Sequence, residues 1–185
     1  MTESYIVLWP QTQCRIVKRA KDRGPLEVVF GGEHKTMPSL GKAAPGDNLY
    51  VVSMSQGSLL LIAHMPIEHI MDPDDFVAWR LGITLDPAQL WDSFSTQPHK
   101  ADKTIGHRIP WTCPLQAAVS TKGSDIRLDR AIPGELLEQL LLGPRPGQEK
   151  PLSGVVEQRL MNPLSLHGHT RRLSPQSAQL LHSLL

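Results

Sequence analysis

Histidines and cysteines are the residues of this 185-residue chain whose types could support catalysis or metal binding. Cys113 follows His107 by six residues, but the fold, and not sequence distance, sets a catalytic Cys–His pair. The histidines that could share a metal ion are His64, His69, His167 and His169. No Cys-x-x-Cys pair and no His-Glu-x-x-His helix accompanies them. We therefore expect a reduced, packed cysteine, no metal site and no assignable catalytic residue.

Glycine-rich phosphate loops are also missing from the sequence. Gly31-Gly32 and Gly41-Lys42 lack the spacing of dinucleotide-binding and nucleotide-hydrolysing loops, so no cofactor is expected. The apolar runs are shorter than the roughly 20 residues of a membrane span, and no basic region followed by an apolar core opens the chain. Two cysteines make no disulfide framework. These features predict a cytoplasmic protein that does not enter a membrane.

Positive charge is concentrated in one region, although the net charge is only +1. Between Arg15 and Lys42 there are seven Lys or Arg residues and three acidic residues. Such a cluster attracts phosphates, and a solvated loop is the structural alternative. The cations that we expect to contact nucleic acid are Arg15, Lys18, Arg19, Lys21 and Lys35.

A β-hairpin over residues 45–65 is the centre of the predicted fold. Gly46-Asp47 forms a turn and leads into Leu49–Met54, which is rich in β-branched and aromatic residues. The turn Ser55–Ser58 and the apolar run Leu59–Ala63 complete the hairpin. Asp47 is expected to hold its turn and not to touch a ligand.

Further elements surround this hairpin. The predicted strands are Ser4–Trp9, Leu26–Phe30, Asp125–Arg130 and one within Gly154–Leu166, while Gln11–Arg23 is compatible with a strand or a short helix. The predicted helices begin at Asp72-Pro73, Asp86-Pro87, Pro133 and Ser174-Pro175, and the leucine-rich one over Pro133–Leu142 has the strongest pattern. The Pro- and Gly-rich segment Gly143–Pro151 predicts a loop. It marks a boundary between residues 1–142 and residues 143–185. We expect the two parts to fold together as one globular unit.

The stretch from Pro45-Gly46-Asp47 to Ile62-Ala63 resembles the PUA-like superfamily, which includes the PUA, ASCH, EVE and YTH domains, and the resemblance extends over roughly Ser4–Ile70. It implies an α+β fold: a small, mostly antiparallel β-barrel with helices packed at its openings, here followed by a helical C-terminal extension. It also implies nucleic-acid binding, because family members bind RNA or hold a flipped, often modified base in an aromatic pocket.

The aromatic residues available for such a pocket are few. Stacking on an aromatic face recovers about 1–3 kcal/mol per base, which offsets the cost of extruding the base. The residues expected to stack are Trp9, Tyr50 and Trp111, whereas Trp79 and Trp91 lie in helical patterns typical of a core. The resemblance leaves DNA and RNA open as partners.

Two other functions are compatible with the sequence. Some ASCH-type relatives are amidohydrolases that use a Lys, a Thr and a Glu, and Lys35-Thr36 with Glu33 supplies these types without the family spacing. Activity on a modified nucleoside is therefore one alternative, although binding is favoured over catalysis. An assembly subunit, with a protein partner or self-association through Leu136–Leu142 and Leu180–Leu185, is the other.

Overall fold

The chain has a mixed α+β fold, as the sequence predicts. The computed structural model describes residues 2–32, 37–83, 105–109, 114–167 and 170–185. Its strands are β1 Ser4–Leu8, β2 Val28–Gly31, β3 Asn48–Ser55, β4 Ser58–Pro66, β5 His69–Met71, β6 Gln116–Val119, β7 Leu141–Leu142, β8 Lys150–Pro151, β9 Val155–Val156, β10 Arg159–Leu160 and β11 Arg171–Arg172. Its α-helices are α1 Gln11–Arg19, α2 Pro73–Leu81, α3 Gly134–Gln139 and α4 Pro175–His182, with 3-10 turns at Gly106–Arg108 and Pro163–Leu166.

The central hairpin is confirmed. Strands β3 and β4 pair from Asn48 opposite Pro66 to Ser55 opposite Ser58. The two residues of the turn have positive φ, 49° at Gln56 and 80° at Gly57, as a tight turn matched to the strand twist requires.

The strands of the described residues form two main sheets and two small two-stranded ones. The first sheet has the order β11-β1-β3-β4, and the second has the order β2-β6-β5. Strands β1 and β3 are parallel, whereas the other pairs are antiparallel. None of these sheets closes on itself, so the predicted barrel is not confirmed.

Residues 124–132 follow the outer edge of β4 without forming a regular strand. The N–H groups of Arg127 and Ile132 donate to the carbonyls of Ile62 and Leu59, each at 2.8 Å, and Leu60 forms an isolated bridge with Ala131. The strand predicted over Asp125–Arg130 is therefore wrong as a regular element, because its bonds to β4 are interrupted by unpaired residues. This segment nevertheless connects the second sheet, through β6, to the edge of the first.

Both faces of the first sheet are buried. One face packs against the second sheet and α1, through Val7, Val51, Met65, Val29, Ala118 and Val17. The other face packs against α3 and α4, through Ile6, Val52, Leu61, Leu137 and Leu181. Helix α2 covers the far side of the second sheet with Phe76 and Val77. Each fully buried Val, Leu, Ile, Phe or Met among them contributes about 1.5–3 kcal/mol, so both faces of the first sheet stabilise the fold.

The helix starts follow their capping residues. The Asp72 carboxylate accepts from the Asp74 N–H at 2.9 Å, and α2 ends at Gly82 with φ 65°. The Ser174 hydroxyl accepts from the Ser177 N–H at 3.1 Å and begins α4. Gln11–Arg19 is helical, which resolves the ambiguity of that segment. The helix predicted at Asp86-Pro87 lies outside the described residues.

The helix predicted over Pro133–Leu142 is too long. Helix α3 ends at Gln139, and Leu141–Leu142 form strand β7. The Leu141 N–H donates to the Ser177 hydroxyl at 2.7 Å, and the Leu140 carbonyl accepts from the Leu152 N–H at 2.9 Å. These tertiary bonds replace the last helical turn, because they satisfy the same backbone groups. The strand predicted within Gly154–Leu166 is instead the short β9–β10 hairpin.

Candidate nucleic-acid interface

Helix α1 presents a basic face to solvent. Arg15, Lys18 and Arg19 are exposed and lie three and four residues apart, a spacing that places them on one side of a helix. Val17 points the other way and is fully buried in the core beneath. Lys21 extends this face just beyond the helix, with its N–H bonded to the Lys18 carbonyl at 3.1 Å. The structure therefore brings together four of the five predicted phosphate ligands.

The nearby carboxylates do not neutralise this face. Asp22 accepts from Arg108 through Nε at 2.7 Å and Nη2 at 2.8 Å. Glu27 accepts from Arg108 Nη1 at 3.2 Å and from Arg80 Nε at 3.0 Å. Within the described residues, no carboxylate lies within ion-pair distance of Arg15, Lys18, Arg19 or Lys21. The local excess of positive charge is thus available to a ligand.

Asp22 is the centre of a buried polar network that sequence reasoning missed. Burial by itself would raise the pKa of this carboxyl, but hydrogen bonds from Arg108, the Gly24 N–H and His107 lower it to about 2. His107 Nε2 lies 2.7 Å from Asp22, and the His107 carbonyl accepts from Gln13 of α1 at 3.2 Å. The network ties the 106–108 turn to α1. Its members are 85 residues apart along the chain, so no spacing pattern could have indicated it.

Trp9 and Tyr50, two of the predicted stacking residues, do not share one pocket. Trp9 is 8% exposed and belongs to the core between the sheets, whereas Tyr50 is 4% exposed and belongs to the core beneath α4. They lie on opposite faces of the first sheet. Tyr50 is the partner of Ile6 in the register of β1 and β3 and shares its face, whereas Trp9 belongs to the cluster on the other face, with Val7. Trp111 and Lys35 lie outside the described residues, as do Trp91, Cys113, His169, Glu33 and Thr36. The core position expected for Trp79 is wrong, because this residue is 56% exposed on α2.

A cavity with several polar side chains in its lining adjoins Tyr50. The Tyr50 ring packs against His64 with centroids 4.8 Å apart and planes tilted by 43°, and the centroids of His64 and His182 of α4 are 5.3 Å apart. His64 Nε2 lies 2.9 Å from Asn48 Oδ1. Burial, with a smaller effect of His182, lowers the pKa of His64 to about 4, so the imidazole is neutral at pH 7. The cavity of about 470 Å³ is lined by these groups and by Gln179, a size suited to a small ligand.

Asp47 holds the turn before β3, as predicted. Its carboxylate accepts from the Glu3 N–H through Oδ1 and from the Ala44 N–H through Oδ2, each at 2.9 Å. Asp47 is buried, and both of its carboxylate oxygens are occupied by these bonds.

Two further features are absent from the described part of the chain. No group of three or more His, Cys, Asp or Glu side chains within it is arranged to hold a metal ion. Among its helices, none combines the length and the apolar character needed to cross a bilayer. Comparisons of the chain with protein-family models, curated proteins and solved structures found no match.

Proposed function

We propose that this protein is a nucleic-acid-binding module whose helix α1 contacts backbone phosphates. The observation that carries the proposal is the exposed row of Arg15, Lys18 and Arg19, together with the engagement of Asp22 and Glu27 by other arginines. Cations that no carboxylate neutralises release counterions from nucleic acid when they bind it, which gives affinity without sequence preference. Cations in the last turn also stabilise a helix. That effect would not require Asp22 and Glu27 to be bonded to other arginines.

A flipped or modified base is the second part of the proposal. Trp9 and Tyr50 are nearly fully buried, so stacking on either face would require the core to open. Trp111 is therefore the aromatic contact that we propose first, with Lys35 as a fifth cation. A PUA-like barrel and a cytoplasmic location complete the proposal. The barrel draws support from residues 124–132, which connect the second sheet to the edge of β4.

The experiment is fluorescence anisotropy of labelled single- and double-stranded DNA and RNA, with and without modified bases, across a salt series. The test variant is R15Q/K18Q/R19Q. Each lost phosphate contact should reduce the salt slope by about 0.9 for duplex DNA or about 0.7 for a single strand. Loss of preference for one modified base in W111A would identify the base contact.

The matched control is K122Q/R127Q/R159Q, which removes the same charge from exposed positions elsewhere. Equal weakening by both triple variants would contradict a specific role for α1. Absence of binding at low salt would overturn the proposal altogether.

The described residues favour neither alternative function. Leu137, Leu140 and Leu181 are buried within this chain's own core, so the leucine-rich pattern is explained without a protein partner. Lys35, Thr36 and Glu33, which the amidohydrolase alternative requires, lie outside the described residues.

A further inference from the structure

A second basic site lies on a different part of the surface. A cleft of about 720 Å³ is bounded by β8, by β11, by the loop of residues 143–149 and by Lys42. Helix α1 contributes no residue to its lining. The cleft is therefore separate from the proposed nucleic-acid interface.

The wall of the cleft contains a fixed guanidinium. Arg172 is nine-tenths buried. Its Nε donates to Glu3, and its Nη1 donates to Glu149 at 2.8 Å. A charge removed from water in this way is tolerated only when it is paired and hydrogen-bonded. These two bonds set the orientation of the guanidinium plane before any ligand arrives.

The surrounding backbone is held in place as well. The Gly143 N–H donates to the Arg172 carbonyl at 3.1 Å, which attaches the 143–149 loop to β11. A Cβ at Gly143 would lie only 2.6 Å from the Gln148 carbonyl oxygen, so glycine permits the loop to close. The Tyr5 hydroxyl donates to the Lys42 carbonyl at 2.9 Å and fixes the opposite rim. The cleft is thus a preformed site.

Cations outnumber carboxylates around this cleft. Among the described residues, its lining has the cations Lys42, Lys150, Arg171 and Arg172 and one carboxylate, that of Glu149. Glu3 is outside the lining but is bonded to Arg172. Lys42 and Lys150 are exposed, and no carboxylate of the described residues pairs with either. Because Glu3 and Glu149 already offset part of the positive charge, a singly charged anion gains little here, whereas a multiply charged one gains from several cations at once.

We propose that this cleft binds a phosphate-bearing ligand with at least two negative charges. Arg172 offers phosphate oxygens the N–H groups that Glu3 and Glu149 leave unoccupied, and the two lysines supply charge at the rim. The phosphate can belong to a free phosphorylated small molecule or to the phosphorylated end of a nucleic acid. The proposal does not depend on nucleic-acid binding by α1.

Isothermal titration of the full chain with inorganic pyrophosphate, with acetate as the singly charged reference, tests the site. Pyrophosphate should bind and acetate should not, and K42Q/K150Q should weaken pyrophosphate binding at least fivefold. Both lysines are exposed, so this variant should fold, which circular dichroism would verify. The control K122Q/R159Q removes the same charge elsewhere, and it and R15Q/K18Q/R19Q should bind pyrophosphate as the unmodified chain does.

Several results would overturn this site. The first two are the absence of a binding signal with pyrophosphate and an affinity for acetate equal to that for pyrophosphate. The others are an equal loss of pyrophosphate affinity in the K122Q/R159Q control, or a loss of that affinity in R15Q/K18Q/R19Q alone. The source of the phosphate is decided by competition. A 5′-phosphorylated oligonucleotide that displaces pyrophosphate, where its unphosphorylated form does not, would identify a nucleic-acid end. No displacement would identify a free small molecule.

Discussion

Helix α1 contacts the 106–108 turn, yet the cations of α1 and the cation at Arg108 have opposite surroundings. Arg15, Lys18 and Arg19 extend into solvent, and the described residues provide them with no carboxylate. Arg108 is only 10% exposed and is bonded to both Asp22 and Glu27. The stability of the fold depends on the second arrangement, because separating a buried charge from its partner is costly. The first arrangement contributes little to stability, so its residues are available for binding.

The largest expected effect comes from breaking the buried network. R108M leaves the Asp22 carboxylate without its bidentate partner and should lower the free energy of unfolding by about 3 kcal/mol. Urea denaturation followed by circular dichroism measures this loss. D22N/R108M, which also removes the orphaned charge, should recover more than half of it. A loss below about 1 kcal/mol in R108M would show that the network is not structural.

His64, which is partly buried and has no opposite charge as a partner, should make a smaller, pH-dependent contribution to the free energy of unfolding. The pKa of His64 is about 4 in the folded protein and near 6.5 when exposed. The unfolded chain therefore binds a proton more readily, so stability is complete above pH 6.5 and falls as the pH decreases towards 4. With partial exposure taken into account, we expect a loss of the order of 1–2 kcal/mol.

Denaturation at a series of pH values would measure this change, and H64F should remove it between pH 6.5 and 4. Asp22, whose pKa is about 2 against a usual 3.8, contributes stability that is lost only as the pH falls from 3.8 towards 2. Because the two windows are separate, a loss in H64F identical to that of the unmodified chain above pH 4 would assign the transition to another group.

The smallest expected effect on stability is that of the α1 variant. R15Q/K18Q/R19Q should change the free energy of unfolding by less than about 0.5 kcal/mol, as exposed surface substitutions usually do, while reducing nucleic-acid affinity. Thermal unfolding beside the anisotropy assay separates the two quantities. A strongly destabilised variant would mean that these cations stabilise the fold, as Arg108 does, and are not reserved for binding.

Local signals predicted the elements that local chemistry determines. The turn at Gln56-Gly57, the Asp72 and Ser174 caps and the role of Asp47 all depend on residues within a few positions of one another. The end of α3 was not predictable, because Leu141 bonds to Ser177, 36 residues away. The open sheets and the irregular segment at 124–132 likewise depend on tertiary pairing, which overrides strand pattern.

The candidate site likewise has features that local sequence indicates and features that only the tertiary structure shows. The excess of Lys and Arg between Arg15 and Lys42 indicated Arg15, Lys18 and Arg19 as phosphate ligands. Their place on one helix face required the structure, because the sequence is compatible with a strand or a helix over residues 11–23. The pairing of Asp22 with Arg108, 86 residues away, decides whether that face is neutralised, and only the fold shows it. The separation of Trp9 from Tyr50 required the register of β1 and β3. The cleft around Arg172 collects residues from across the chain, which explains why no motif indicated it.

The pairing of β1 with β11 has a consequence for synthesis on the ribosome. Tyr5 is opposite Arg172, and Glu3 bonds to that arginine across 169 positions of sequence. The β3–β4 hairpin and the β1–β3 pair can form while the chain is still emerging, because their residues appear early. The outer edge of β1 remains uncovered until residue 172 leaves the exit tunnel. During that interval the nascent chain carries an open strand edge, the feature by which incomplete sheets associate with one another and with chaperones.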